Sequence, residues 1–260
     1  MIINQTVSGG GNAPTYYIEK TKDSNNRLIK GTQLINLNGV TNVGDYALYA
    51  AYYTSVFPAL ENVEFNSLVT ISGASACSAM FQNGGVKTVS LNSLTTISGT
   101  NACNVMFSGC SQLTDANLPS LTTISGITAC SSMFQATKLS NIDIHSLTSV
   151  TAQMACMSMF SNCKQLTSLN FQSLTTLTGS QCFAYMFQNC TSLTSLSFPA
   201  LTSTSFGSYT NQFNNMLSGV TGCTVHFPSN LQSVIGSWSD VTAGFGGTNT
   251  IVLFDLTATS

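Results

Sequence analysis

The chain has 260 residues, 43% of them apolar, yet only 6% are charged, against roughly 25% in an ordinary soluble domain. Its net charge is −2, and four of its seven basic residues (Lys20, Lys22, Arg27 and Lys30) share one short stretch with Glu19 and Asp23. That balance excludes a basic surface able to attract nucleic acid or an anionic membrane. No stretch is apolar for long enough to insert in a bilayer.

Residues 1–14 are rich in Gly and Asn and read as a loose tail. Their opening, MIINQTVSGGG, has neither the charged n-region nor the apolar h-region of a secretory leader. Residues 15–31, TYYIEKTKDSNNRLIKG, read as a β-hairpin turning at Asp23-Ser24-Asn25-Asn26. Its charges suit it to block an open sheet edge. Residues 1–34 are therefore expected to form a tail and a capping hairpin.

From about Ile35 the chain repeats itself. An apolar–polar–apolar triplet recurs at Val63-Glu64-Phe65, Val89-Ser90-Leu91, Ala116-Asn117-Leu118 and Ile142-Asp143-Ile144. It continues at Leu169-Asn170-Phe171, Leu196-Ser197-Phe198 and Val225-His226-Phe227. The steps between the first residues are 26, 27, 26, 27, 27 and 29. A degenerate copy near Ile35 and a strand-like run at Ile251 bring the expectation to about eight coils. A fixed period of this size is the mark of a solenoid, in which each unit hides its apolar face only by stacking on its neighbours.

Each unit has three parts. The triplet has the two-residue period of a half-buried strand. A phrase such as Leu94-Thr95-Thr96-Ile97 follows, whose apolar spacing of three fits an arc. Then comes a block such as Ala76-Cys77-Ser78-Ala79-Met80-Phe81, with apolar pairs four apart, which predicts one face of a short helix. Asn83, Gly109, Asn162 and Asn189 tolerate the left-handed conformation and read as its stop signals. The repeats are placed at residues 35–234. A C-terminal capping coil is expected over 235–260, around Trp238 and a glycine cluster.

The nine cysteines follow the repeat and no local ligand spacing. Cys77, Cys103, Cys130 and Cys156 share one column, and Cys110, Cys163 and Cys190 another. Cys182 sits one place off the first column, with Phe183 in the slot. Without a CxxC pair, and with an odd count, neither a zinc site nor a disulfide framework is indicated. The expectation is a buried ladder of reduced thiols. No cofactor is called for and no catalytic set is apparent. His145 and His226 fall on the outward side of the predicted sheet, away from the cysteines, and Asp143 with His145 suggests a surface ion pair. The threonine pairs, such as Thr122-Thr123, are expected to form hydrogen bonds between coils. Two adjacent hydroxyls cannot share one flat face, so they do not make an ice-binding array.

The phrases MFSNCKQLTSLNF (Met159 to Phe171) and MFQNCTSLTSLSFP (Met186 to Pro199) resemble the BspA-like leucine-rich repeat family, whose pattern is close to AF..C..L..I.IP..L..I. The C..L..L step is matched by Cys163, Leu166 and Leu169 and by Cys190, Leu193 and Leu196. Pro119, Pro199 and Pro228 fall where the family often has proline. The units here are longer, with ISG..AC..MF in place of IG..AF. The resemblance implies a right-handed leucine-rich-repeat coil with a parallel β-sheet on one face and short helices or turns on the other. It also implies a bacterial cell-surface, extracellular or virion setting and a binding or adhesion role toward a protein or glycan.

Triplet alternation turns Glu64, Ser90, Asn117, Asp143, Asn170, Ser197 and His226 outward, and these are the candidate binding residues. The expected protein is a non-enzymatic, monomeric binding module. The alternative is a structural or cytoplasmic scaffold with no dedicated ligand site, which reduced thiols favour.

Overall fold

The computed structural model describes residues 41–45, 48, 62–202, 205–206, 211–235 and 245–257. The tail, the hairpin expected at 15–31, the degenerate copy near Ile35 and Trp238 lie outside the described residues. In chain order the strands are β1 (Asn42–Val43), β2 (Asn62–Glu64), β3 (Thr70–Ile71), β4 (Thr88–Ser90), β5 (Thr96–Ile97), β6 (Asp115–Asn117) and β7 (Thr123–Ile124). They continue as β8 (Asn141–Asp143), β9 (Ser149–Val150), β10 (Ser168–Asn170), β11 (Thr176–Leu177), β12 (Ser195–Ser197), β13 (Thr224–Pro228) and β14 (Ile251–Leu256).

Successive coils stack in parallel register, giving a β-solenoid of about seven turns. The triplets make the first arm of each coil. They form two four-stranded sheets, β2-β4-β6-β8 and β10-β12-β13-β14. The phrase read as an arc is in fact a second arm. Its last two residues, threonine and isoleucine in β3, β5 and β7, make the two-residue strands of a six-stranded sheet, β1-β3-β5-β7-β9-β11. The second strand residue points in, and the hydroxyl of the threonine just before the strand donates to the preceding coil. Thr95 bonds the Val69 carbonyl at 3.1 Å, Thr122 that of Thr95 at 3.1 Å, and Thr148 that of Thr122 at 3.0 Å.

The block read as a helix is not one. From Asn101 to Cys110 every second amide closes a three-residue turn, as Ala102 does onto Gly99, Asn104 onto Asn101 and Met106 onto Cys103. The intervening amides donate to the next coil: Asn101 to Ile127, Cys103 to Ala129, Val105 to Ser131 and Phe107 to Met133, at 2.7–3.0 Å. Every fourth residue is left-handed, with φ of 55° at Asn101, 49° at Val105 and 74° at Gly109. The same period recurs at Thr128, Ser132 and Ala136 and at Met154, Ser158 and Asn162. A four-residue turn ribbon buries pairs four apart, as a helix would, so the apolar spacing alone could not separate the two. A helix would satisfy its amides internally at i−4 and leave the coils unlinked. The ribbon gives half of them to its neighbour. Left-handed valine and threonine cost roughly 1–2 kcal/mol each, and the inter-coil bonds offset that strain. The sole α-helix among the described residues is the four-residue α1 (Gln232–Ile235).

The alternation of 26- and 27-residue steps has a local cause. After the last left-handed residue of the ribbon, most units take the step Cys110-Ser111-Gln112-Leu113 to reach a buried leucine. Gly84-Gly85-Val86 and Thr137-Lys138-Leu139 reach a buried valine and leucine with one residue fewer, and those coils are the two short ones.

The interior is built of columns. Phe81, Phe107, Phe134, Phe160 and Phe187 stack with ring centroids 5.2, 5.5, 5.8 and 5.6 Å apart. A second stack runs through Phe171, Phe198 and Phe227 at 4.9 and 5.2 Å. Where the ribbon begins, backbones meet closely. A Cβ on Gly99 would lie 2.0 Å from the Gly73 carbonyl oxygen, and one on Gly126 would lie 2.1 Å from that of Gly99. Ala152 interrupts this glycine column, and the first-arm sheet parts between β8 and β10, in the step that contains it. Ile142 and Leu169, on either side of the break, are 7% and 8% exposed, whereas Ala116 and Leu196 are 0%.

Gly126→Ala is expected to cost about 2–3 kcal/mol in urea unfolding, because backbone must shift to admit the methyl group. Ser125→Ala, one residue away on the outer side, should change stability by less than about 0.5 kcal/mol.

Candidate functional site

The outward residues of the triplets lie in two parallel columns. Register aligns Glu64 with Ser90, Asn117 and Asp143 across β2, β4, β6 and β8. It aligns Asn170 with Ser197 and His226 across β10, β12 and β13. All seven are exposed or half-buried, while the residue before each is buried. The break between β8 and β10 divides the column, with the carboxylates Glu64 and Asp143 in the first part and His226 in the second. A companion column two residues earlier holds Asn62, Thr88, Asp115, Asn141, Ser168, Ser195 and Thr224. Here Thr88 donates to the Asn62 side chain at 2.7 Å.

Both histidines meet a carboxylate. His145 Nδ1 lies 2.6 Å from Asp143 Oδ1, the pair expected from their spacing, and the His145 amide donates to the same oxygen at 3.2 Å. Partial burial raises the Asp143 carboxyl, but the His145 hydrogen bonds and charge outweigh it and hold the group below its ordinary value. His226 Nδ1 lies 3.0 Å from both oxygens of Asp255 on β14. Sequence reading missed that partner, because Asp255 interrupts an otherwise apolar run and is 29 residues away. Ser197, His226 and Asp255 thus follow one another across three strands. No hydrogen bond joins Ser197 to His226, and the strand amides around them are spent in the sheet ladder. A nucleophile–base pair with an oxyanion site is therefore not assembled.

The two nearest carboxylates of neighbouring coils, Asp115 and Asp143, fall in different columns, opposite Asn141 and Asn117 respectively. Among the described residues no group of three or more His, Cys, Asp or Glu is placed to hold a metal ion. No helix among them is long and apolar enough to cross a membrane.

All nine cysteines are reduced and buried. Cys77, Cys103, Cys130 and Cys156 stack at the inner side of the turn ribbon, and Phe183 continues that column. Thiols of the other column have a different task. Cys110 donates to the Phe81 carbonyl at 3.1 Å, Cys163 to Phe134 at 3.1 Å and Cys190 to Phe160 at 3.0 Å. Each crosses to the preceding coil. Thr137 occupies the same place in its short coil and bonds the Phe134 carbonyl at 2.9 Å. That bond stays within its own coil, and the Phe134 carbonyl accepts from both Thr137 and Cys163. Cys223, outside both columns, is buried just before β13.

A parallel β-solenoid with an outward polar face and an interior of Phe, Leu and Cys defines a repeat protein. The sequence model of the BspA type leucine rich repeat region matches in six copies, over residues 32–158, 77–214 and 132–237. The chain belongs to that family. No curated protein matches it.

Burial lifts every thiol: Cys110 and Cys163 to about 11, Cys77, Cys182 and Cys223 to about 12, and Cys103, Cys130, Cys156 and Cys190 well above the ordinary 9.0. Unfolded thiols release protons above pH 9 while folded ones keep them. Stability should therefore be flat below that pH and fall as pH rises through about 9 to 12. The slope approaches about 1.4 kcal/mol per pH unit for each fully protected thiol. Denaturant melts at stepped pH, with thiol titration in the native and unfolded states, check this. Rapid native labelling at pH 8 would contradict it.

Proposed function

We propose that the chain is a non-enzymatic binding module that holds a protein or glycan on the outward face of its first-arm sheets. We place it on a bacterial cell surface or in a phage tail. One observation carries the reading: within each first-arm sheet, polar residues of successive coils are set side by side in register over one buried apolar core. The face offers hydrogen-bonding groups at a spacing of about 4.8 Å from strand to strand. It carries no Trp or Tyr at the column positions. Sugar stacking and hydrophobic hot spots are thus disfavoured, and a wet, hydrogen-bonded contact is favoured. The family supports this, since BspA-type repeats are often found in binding and adhesion.

A second reading, a scaffold in a reducing compartment, has the nine unpaired thiols in its favour. The two readings differ in the outcome of one experiment. Glycan arrays and pull-downs would first provide a ligand. Asn117, Asp143 and Asn170 would then be changed together to Ala. The melting temperature should move by no more than about 2–4 °C, and affinity should fall at least about tenfold. Unchanged affinity would remove the face from the site, and failure to find any ligand would favour the scaffold.

A further inference from the structure

We infer that the parting of the first-arm sheet is a hinge: the methyl group of Ala152 wedges one step of the stack open, and the coils on either side rock about the second arm and the turn ribbon. The seam is confined to one arm of one step. Elsewhere the last residue of each triplet donates to the middle residue of the next: Phe65 to Ser90, Leu91 to Asn117, Leu118 to Asp143, Phe171 to Ser197 and Phe198 to His226, at 2.8–3.0 Å. Ile144 makes no such bond to Asn170. Nor does Thr167 bond Ser140, although Ser140 bonds Thr114 and Thr194 bonds Thr167. The chain stays joined on both sides of the seam. The ribbons that lead into β8 and β10 share five hydrogen bonds, from Thr128 to Gln153 through Ala136 to Ser161. Beyond the seam, β9 pairs with β11.

The cause lies where the ribbon begins. Gly73, Gly99, Gly126 and Gly179 hold that place in the neighbouring coils, with Ala152 among them. A Cβ on Gly99, Gly126 or Gly179 would lie 2.0–2.1 Å from the carbonyl oxygen of the member before it, and real Cβ atoms do not come within 3.0 Å. Ala152 carries that methyl group, so its coil stands off from Gly126. Three distances are the longest of their kind at this step. The Thr151 amide bonds the Ile124 carbonyl at 3.2 Å, against 2.9–3.1 Å for Ser98, Ser125 and Thr178. Thr128 bonds Gln153 at 3.1 Å, against 2.8–2.9 Å for Ser75, Asn101 and Met154. Phe134 and Phe160 lie 5.8 Å apart, against 5.2–5.6 Å elsewhere in their stack. The ribbon of Gly126 feeds β8 and that of Ala152 feeds β10, so the added separation passes directly into the gap between these strands.

The Ile144 amide and the Asn170 carbonyl are left as a backbone donor and acceptor for water. With its ladder bonds missing and its apolar residues Ile142 and Leu169 less completely covered, this step opens at the least cost. Asp143 and Asn170 end the two halves of the outward column at the seam. Rocking therefore changes the spacing between the halves and keeps the register within each.

Amide exchange followed by NMR on the full chain tests this. Ile144 should exchange at least about tenfold faster than Leu118 and Phe171, which hold the same place in the neighbouring coils. Ala152→Gly should slow Ile144 at least about tenfold by letting the sheet close. Gly126→Ala should move the wedge one coil back and speed Leu118 at least about tenfold relative to Phe171. Spin labels on Ser90→Cys and Ser197→Cys, one on either side of the seam, read the motion itself, since the native thiols are buried. Their distance distribution should narrow when Ala152→Gly is added. Equal protection of Ile144 and Leu118 in the wild type would overturn the inference. So would an Ala152→Gly variant that leaves either the Ile144 exchange or the distance distribution unchanged.

Discussion

Hydrogen bonds from one coil to the next hold every other feature in place. All strand arms before β13 are two or three residues long, and each ribbon turn is too short to persist alone in water. The backbone amides of both arms, and half of those in the ribbon, are satisfied only by the neighbouring coil. The stack is consequently cooperative along one axis: removing a coil would orphan amides on both of its neighbours. Side chains reinforce the same direction, through stacked phenylalanines, threonine hydroxyls on the preceding carbonyls, and thiols on the Phe81, Phe134 and Phe160 carbonyls.

That register also accounts for the scarcity of charge. In a parallel in-register stack each residue stands beside its equivalent, about 4.8 Å away. A charged position repeated through the coils would set like charges in contact along the whole column, at a cost on every step. The charges that do occur are isolated. Glu64 stands beside Ser90, Asp115 between Thr88 and Asn141, and Asp143 beside Asn117. Serine, threonine and asparagine supply polarity without that penalty, and their hydroxyls and amides can bond along the column, as Asn189 does to Asn162 at 3.3 Å. The candidate binding face owes its chemistry to this constraint. Its low charge gives little long-range steering, so the proposed recognition would rest on short-range hydrogen bonds.

The repeat frame, the inward and outward sides of the triplets and the thiol columns were legible in the sequence because each is a period that burial enforces. The left-handed residues Asn83, Gly109, Asn162 and Asn189 were legible too, although they close a ribbon and not a helix. The ribbon itself was hidden. Periods of 3.6 and 4 diverge by only about 0.8 of a residue over the eight residues of the block. The residues that distinguish them, Val105, Thr128 and Tyr185, occupy left-handed positions that their side chains disfavour. The neighbouring coil holds them there, and that is information no local pattern contains. The second arm was read as an arc because a two-residue strand is too short to show alternation. The His226–Asp255 contact was missed for a related reason: it joins different coils, and Asp255 has no counterpart in the other units.

The central claim is that the ribbon amides bond across coils. Scalar couplings through hydrogen bonds, measured by NMR on isotope-labelled protein, identify the carbonyl that each amide engages. The account predicts a coupling from the Cys103 amide nitrogen to the Ala129 carbonyl carbon, and from Phe107 to Met133. Couplings from Cys103 to Gly99, and from Phe107 to Cys103, would mark a helix and contradict it.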